Sequence, residues 1–150
     1  EQLETVVPRI FAARSLVGEG ALRATTLRML WIGVTAWAFG LLGIWALKPW
    51  LIMLFDPFYW PYYGLGYFVW SANGVYFVAK VLSLENRAQR DTATELVGSA
   101  TGVLGLGISL FAFDKYDAWA GAGSLLLVQL GVLVGVLLRK HWLAARSPAC

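Results

Sequence analysis

Residues 118–138 read AWAGAGSLLLVQLGVLVGVLL, a run of 21 residues with no charge between Asp117 and Arg139. As an α-helix this run is about 30 Å long, the thickness of the hydrocarbon core of a bilayer. A soluble domain of this size rarely buries so long a helix without a charge, so the run is read as a membrane crossing. Three comparable segments precede it, at 29–47, 64–84 and 96–113. Together they predict an all-α integral membrane protein, a four-helix bundle made of two helical hairpins. A short N-terminal amphipathic interfacial helix within 1–28 and an aromatic, proline-rich interfacial connector complete it. The division is therefore an interfacial segment, 1–28, and a four-span domain, 29–150.

Composition points the same way. Apolar residues make up 59% of the chain and charged residues 14%, against roughly 45–50% and 25% in soluble domains. The net charge of +3 is scattered and forms no stripe for nucleic acid, so nucleic-acid binding is not expected. The single cysteine, Cys150, is the last residue. It allows no intrachain disulfide, does not fit a prenylation box, and is read as an inert tail thiol. The chain opens on Glu1, which suggests that an initiator or presequence has been removed; residues 1–28 lack the pattern of a retained signal peptide.

Within 1–28, Leu3, Val6, Val7, Ile10 and Phe11 fall on one helical stripe flanked by Arg9 and Arg14, the pattern of a helix in the headgroup plane. Gly18 and Gly20 are expected to interrupt it. In the first span, Trp31 and Trp45 suit the two membrane interfaces. Gly33, Ala36, Gly40 and Gly43 recur at spacings of three and four, a small-residue seam against which another helix can pack closely. The third span repeats the pattern with Gly98, Gly102, Gly105 and Ser109, and the fourth with Gly121, Ser124, Gly131 and Gly135. The turn DKYD, 114–117, is short enough to make those two helices antiparallel, so their seams should face each other.

Between the first two spans lies KPWLIMLFDPFYWPYY, 48–63. Its prolines disfavour a regular helix and its aromatics suit the membrane surface. Trp50, Phe55, Trp60 and Tyr63 are candidates for walling a pocket for a pigment, a quinone or a lipid tail. Residues 85–95, ENRAQRDTATE, read as a solvated loop in which Asp91, Thr92 or Thr94 caps the next helix and Glu95 suits its positive end. Lys80, near the end of the second span, is read as snorkelling to the headgroups.

Four spans place both termini on one side. Ten of the twelve basic residues then share that side and only Lys48 and Lys115 lie opposite. By the positive-inside rule the termini face the cytoplasm of a bacterium, or the matrix or stroma of an organelle.

Candidate chemistry is sparse. The only histidine, His141, follows Arg139 and Lys140; it is a weak candidate for ligating a haem or chlorophyll, and its surroundings favour plain solvation. Asp114 and Asp117 share a turn with Lys115, which makes divalent-cation binding the poorer reading. Asp56 is a candidate half-buried carboxylate. No metal site is expected, and no converging acid, base and nucleophile that would make an enzyme. The two mid-span amides, Asn73 and Gln129, are costly in hydrocarbon unless paired. They are expected to bond each other, or to face a partner subunit or a bound lipid.

These features suit a non-catalytic accessory or assembly subunit of a larger membrane complex, such as an energy-transducing one. It would pack through glycine seams and aromatic belts against other membrane subunits and lipids. The alternatives are a small homo-oligomeric channel or transporter lined by Asn73 and Gln129, and a pigment-, quinone- or lipid-binding module. The chain alone is expected to carry no cofactor beyond a bound lipid, with a pigment or quinone as a further possibility.

Overall fold

A computed structural model describes residues 2–89, 91–113 and 117–146 of the chain. Asp114, Lys115 and Cys150 lie outside the described residues. The described residues are all-helical: α1 (Gln2–Val17), α2 (Glu19–Leu54), a 3-10 helix (Pro57–Tyr62), α3 (Leu65–Ala88), α4 (Ala93–Ala112) and α5 (Ala118–Arg146). Three of them, α2, α4 and α5, are long and apolar enough to cross a membrane. In the most apolar window of α2 no residue is buried, and Trp31, Phe39 and Trp45 stand about 70% exposed. In water such a face would be a large unprotected patch; in lipid it is already solvated.

α3 is not among the three because Asn73 and Lys80 lower the apolarity of its central stretch. It makes contacts with α1, α2, α4 and α5, and its last turns bury Ser83, Glu85 and Asn86. Polar residues are thus enclosed by protein in the last turns only, while Asn73 and Lys80 stay exposed. α2 packs on α3, α3 on α5, and α5 on α4, whereas α3 touches α4 only lightly.

The α4–α5 contact is the tightest. A side chain added at Gly131 would strike the Thr101 carbonyl and come within 3.2 Å of the Gly102 Cα; one at Gly135 would lie 3.0 Å from the Gly98 Cα. Gly105 faces the Leu127 carbonyl, which would be 2.5 Å from its Cβ. The two GxxxG segments thus oppose each other in antiparallel register, backbone against backbone. Gly121, by contrast, is exposed and meets nothing within 4 Å.

The α2–α3 contact works differently. Gly33 lies under the ring of Phe77, Gly40 under Trp70, and on the other helix Gly74 under Trp37. The Trp70 indole donates to the Trp37 carbonyl at 2.9 Å. Here the glycines make room for large rings rather than for a neighbouring backbone. Ala36 is exposed and Gly43 has open space around it.

Two boundaries differ from expectation. α2 begins at Glu19 and runs through Pro49 to Leu54, so the first span and part of its flanks form one rod of about 54 Å. Gly20 is an ordinary helical residue within it, and Pro49 removes one hydrogen bond without ending the helix, as prolines do where neighbours satisfy the freed groups. The break falls at Gly18 alone, whose φ of 133° and ψ of 164° belong to a region open almost only to glycine. Gly18→Ala is expected to lower stability by about 1–3 kcal/mol, while Gly20→Ala, inside the helix with nothing within 4 Å, is neutral or slightly stabilising; thermal denaturation in detergent, followed by far-UV circular dichroism, checks the pair.

That break turns α1 back onto its neighbours. Phe11 is fully buried with Leu22, Val81 and Leu84, and Val7 packs at the edge of this cluster. The apolar stripe of α1 is therefore used in part within the protein, while Val6 and Ile10 remain exposed.

Candidate functional site

Two places gather functional groups. The first lies where α3, α4 and α5 end together. α3 terminates at Ala88, with the Gln89 N–H returning to the Glu85 and Asn86 carbonyls and the Asp91 N–H to that of Asn86 at 3.0 Å. This tight return points Asp91 into the helix ends. Its carboxylate accepts from the Ala93 N–H at 3.3 Å and the Thr94 hydroxyl at 2.5 Å, so Asp91 is the residue that caps α4. Arg139, arriving on α5, donates to both its oxygens, Nε at 3.0 Å and Nη2 at 2.8 Å. Asn86 donates to Thr94 at 3.2 Å, which ties α3 into the same network.

The Arg139 guanidinium, aided by Thr94 and the Ala93 amide and opposed by burial, holds the Asp91 carboxyl down to about 2 from an ordinary 3.8. One residue on, Lys140 donates to Glu85 at 2.5 Å, and Glu85 is only 2% exposed. Glu95 at the start of α4 pairs with Arg87 and, at 3.8 Å, with Lys80. Lys80 thus reaches a carboxylate on the neighbouring helix.

Beside this cluster a cavity of about 740 Å³ opens between α2, α3 and α5, lined by Glu19, Arg23, Glu85, Asp91 and Lys140 over a floor that includes Leu30 and Leu82. The residues that build it were legible as polar, yet their convergence was not read from the sequence. Its signal was present: acids at the C-terminal end of one segment and in the following loop, and a basic pair at the end of another on the same side, must meet if those helix ends are packed.

The second place is the 3-10 helix and the end of α2. Asp56 accepts from the Phe58 N–H at 2.8 Å and so starts the 3-10 helix. The Trp60 indole donates back to the Ile52 and Phe55 carbonyls, at 3.0 and 3.3 Å. The Tyr63 hydroxyl donates to the Ile44 carbonyl, one residue before the carbonyl that Pro49 deprives of its helical donor. This fold-back encloses an almost wholly apolar cavity of about 430 Å³ lined by Phe55, Trp60, Tyr63 and their neighbours. Trp50 is not part of its wall and is 67% exposed.

The remaining candidates are dispersed. His141 is exposed on α5, while its neighbour Trp142 stacks on the Arg139 guanidinium at 4.3 Å. Asn73 is exposed on α3 and donates to the Val69 carbonyl of its own helix at 2.9 Å. Gln129 is half-buried with its carbonyl oxygen enclosed and without a partner. The expected Asn73–Gln129 bond is not formed, because Asn73 sits on a face of α3 that no neighbouring helix covers. Ser109 is buried and turns its hydroxyl to the Leu106 carbonyl at 2.7 Å; Ser124 is half-buried. Among the described residues no group of three or more His, Cys, Asp or Glu is placed to hold a metal ion.

What these features define is a class, an all-helical chain with three helices apolar enough to span a bilayer, compatible with an integral membrane protein. Compared with protein-family models, curated proteins and solved structures, the chain matches none.

Proposed function

We propose that this chain is a non-catalytic accessory or assembly subunit of a larger membrane complex, in which α3 makes a fourth crossing beside α2, α4 and α5. Both termini then lie on the side that carries most of the basic residues, the cytoplasm, matrix or stroma. The observation that carries the reading is Asn73, an amide in the middle of α3 on an exposed face. Its amide N–H already donates to the Val69 carbonyl, but the side-chain oxygen faces outward, and a polar group left without a hydrogen bond in hydrocarbon costs roughly 2–7 kcal/mol, a cost that a donor on a helix of another subunit removes. Trp31, Phe39 and Trp45 along α2 offer the same neighbours a wide apolar surface. Native electrophoresis of gently solubilised membranes is expected to show the chain co-migrating with other proteins at a mass far above its own 16.5 kDa. A chain that migrates alone overturns the proposal. One that migrates as a homo-oligomer and carries flux in liposomes, lost on Asn73→Leu, replaces it with a channel.

A second reading has its own observation, the aromatic cavity at Phe55, Trp60 and Tyr63. Its size and apolar wall suit a planar apolar ligand such as a quinone or a pigment ring. Organic extraction of the purified chain followed by absorbance and mass spectrometry tests it. A stoichiometric ring compound, lost on Trp60→Ala, supports the reading; a preparation free of one rejects it.

A further inference from the structure

The cavity of about 740 Å³ between α2, α3 and α5 does not stand alone. In line with it along the same three helices lies a shallower groove of about 190 Å³, lined by Val34, Trp37, Val75, Val78 and Leu133 and almost without polar surface. On α2 the sequence of lining residues is Glu19, Arg23, Thr26, Leu27 and Leu30 in the first, then Gly33, Val34 and Trp37 in the second. Polarity therefore falls from one end to the other. From Arg23 to Trp37 the helix rises about 21 Å, against about 15 Å for one leaflet's hydrocarbon. The charged end thus stands at headgroup height and the apolar end reaches about as deep as an acyl chain.

Charges at the polar end are of two kinds. Glu85 is engaged by Lys140, and Asp91 by Arg139. Glu19 and Arg23 also line the cavity, and among the described residues neither forms an ion pair. Standing four apart, they share one face of α2, with roughly 5–6 Å between their Cβ atoms. One anion and one cation at that separation, over an apolar groove, complement a headgroup that carries a phosphate and an ammonium joined by a short link.

We propose that α2, α3 and α5 hold one phosphatidylethanolamine, its phosphate at Arg23, its ammonium at Glu19, and one acyl chain along the groove past Val34 to Trp37. A primary ammonium has N–H donors for a carboxylate, which a trimethylated choline lacks, and an anionic glycerol headgroup offers Glu19 no cation. The site does not depend on whether the chain has partner subunits, so its failure and the failure of the subunit reading are separate results.

The test uses the full chain, delipidated in detergent and titrated with phosphatidylethanolamine, phosphatidylcholine or phosphatidylglycerol, with retained lipid counted by native mass spectrometry. One phosphatidylethanolamine is expected to be retained about tenfold more strongly than either other lipid. Arg23→Gln is expected to weaken it about tenfold or more, the effect of one charge-assisted hydrogen bond, and Glu19→Gln to erase the preference over phosphatidylglycerol. Val34→Trp, at an exposed position in the groove, should lower retention of all three lipids, and soluble phosphoethanolamine in large excess should not displace the lipid. Far-UV circular dichroism identical to the parent shows that the variants fold, as expected for exposed side chains. Equal retention of the three lipids, or an Arg23→Gln chain that holds phosphatidylethanolamine like the parent, overturns the proposal.

Discussion

Gly131→Leu is expected to separate α4 from α5 and to lower stability by about 3 kcal/mol or more, the upper end of what overpacking costs. The size of the effect follows from what the new side chain meets. Its Cβ would collide with the Thr101 carbonyl and crowd the Gly102 Cα, both backbone, which cannot rotate aside. Val132 opposite Gly102 is different, a side-chain methyl at 2.8 Å from an added Cβ, so Gly102→Ala should be milder. Gly107→Leu and Gly121→Leu supply the controls. Neither glycine has anything within 4 Å, and leucine favours the helix over glycine by somewhat under about 1 kcal/mol. Titration with sodium dodecyl sulfate, followed by loss of helix–helix contact, should rank the variants in that order. Equal midpoints for Gly131→Leu and Gly121→Leu would show that the two helices do not touch at Gly131.

Asp91→Ala is expected to cost about 2–3 kcal/mol, because it removes the cap of α4 and leaves Arg139 without the carboxylate it grips at two points. Acid should imitate the substitution. The Asp91 carboxyl is held near 2, below its ordinary 3.8, so its contribution is complete above pH 3.8 and disappears as the pH falls through about 2. After allowance for solvent screening this contribution is roughly 1–2 kcal/mol. Thermal midpoints measured from pH 5 down to pH 2 should fall more steeply for the parent than for Asp91→Ala. Parallel curves would mean that the carboxylate and Arg139 do not pair.

The pattern of legibility follows from what spacing encodes. Glycines at 98, 102, 131 and 135 could be matched across a short turn because the two helices are joined by it, and a constant spacing on each then fixes the register. Gly33 and Gly40 carry the same spacing but are filled by Phe77 and Trp70; periodicity names a face and does not say whether a backbone or a ring will occupy it. Gly121 packs against nothing although its neighbours Ala120 and Ala122 are buried, so it stands off the packed face of α5. The continuation of α2 through Pro49 was hidden because a proline signals a break from its own position alone, whereas its tolerance depends on neighbouring groups that local sequence does not name. Residues 85–95 read as a solvated loop because charge usually means water. Here Glu85, Asp91 and Thr94 are buried; Glu85 and Asp91 are satisfied by Lys140 and Arg139, remote in sequence, and Thr94 by Asp91 and Asn86 within the segment. The aromatic connector was recognisable by composition, whereas the cavity it encloses depends on Trp60 and Tyr63 bonding back to carbonyls of α2, which no local pattern announces.

The small cluster of Phe11, Leu22, Val81 and Leu84 bears on how the molecule comes apart. It sits among the charged ends of the helices, where water is the competing solvent, so it coheres by the force that urea weakens. The backbone contact between α4 and α5 coheres by close packing that lipid does not oppose, and harsh amphiphiles erode it instead. A chaotrope should peel away the N-terminal helix and spare the glycine pair, while a short-chain detergent works in the reverse order. One polypeptide is thus cemented twice, and no single midpoint speaks for both joints.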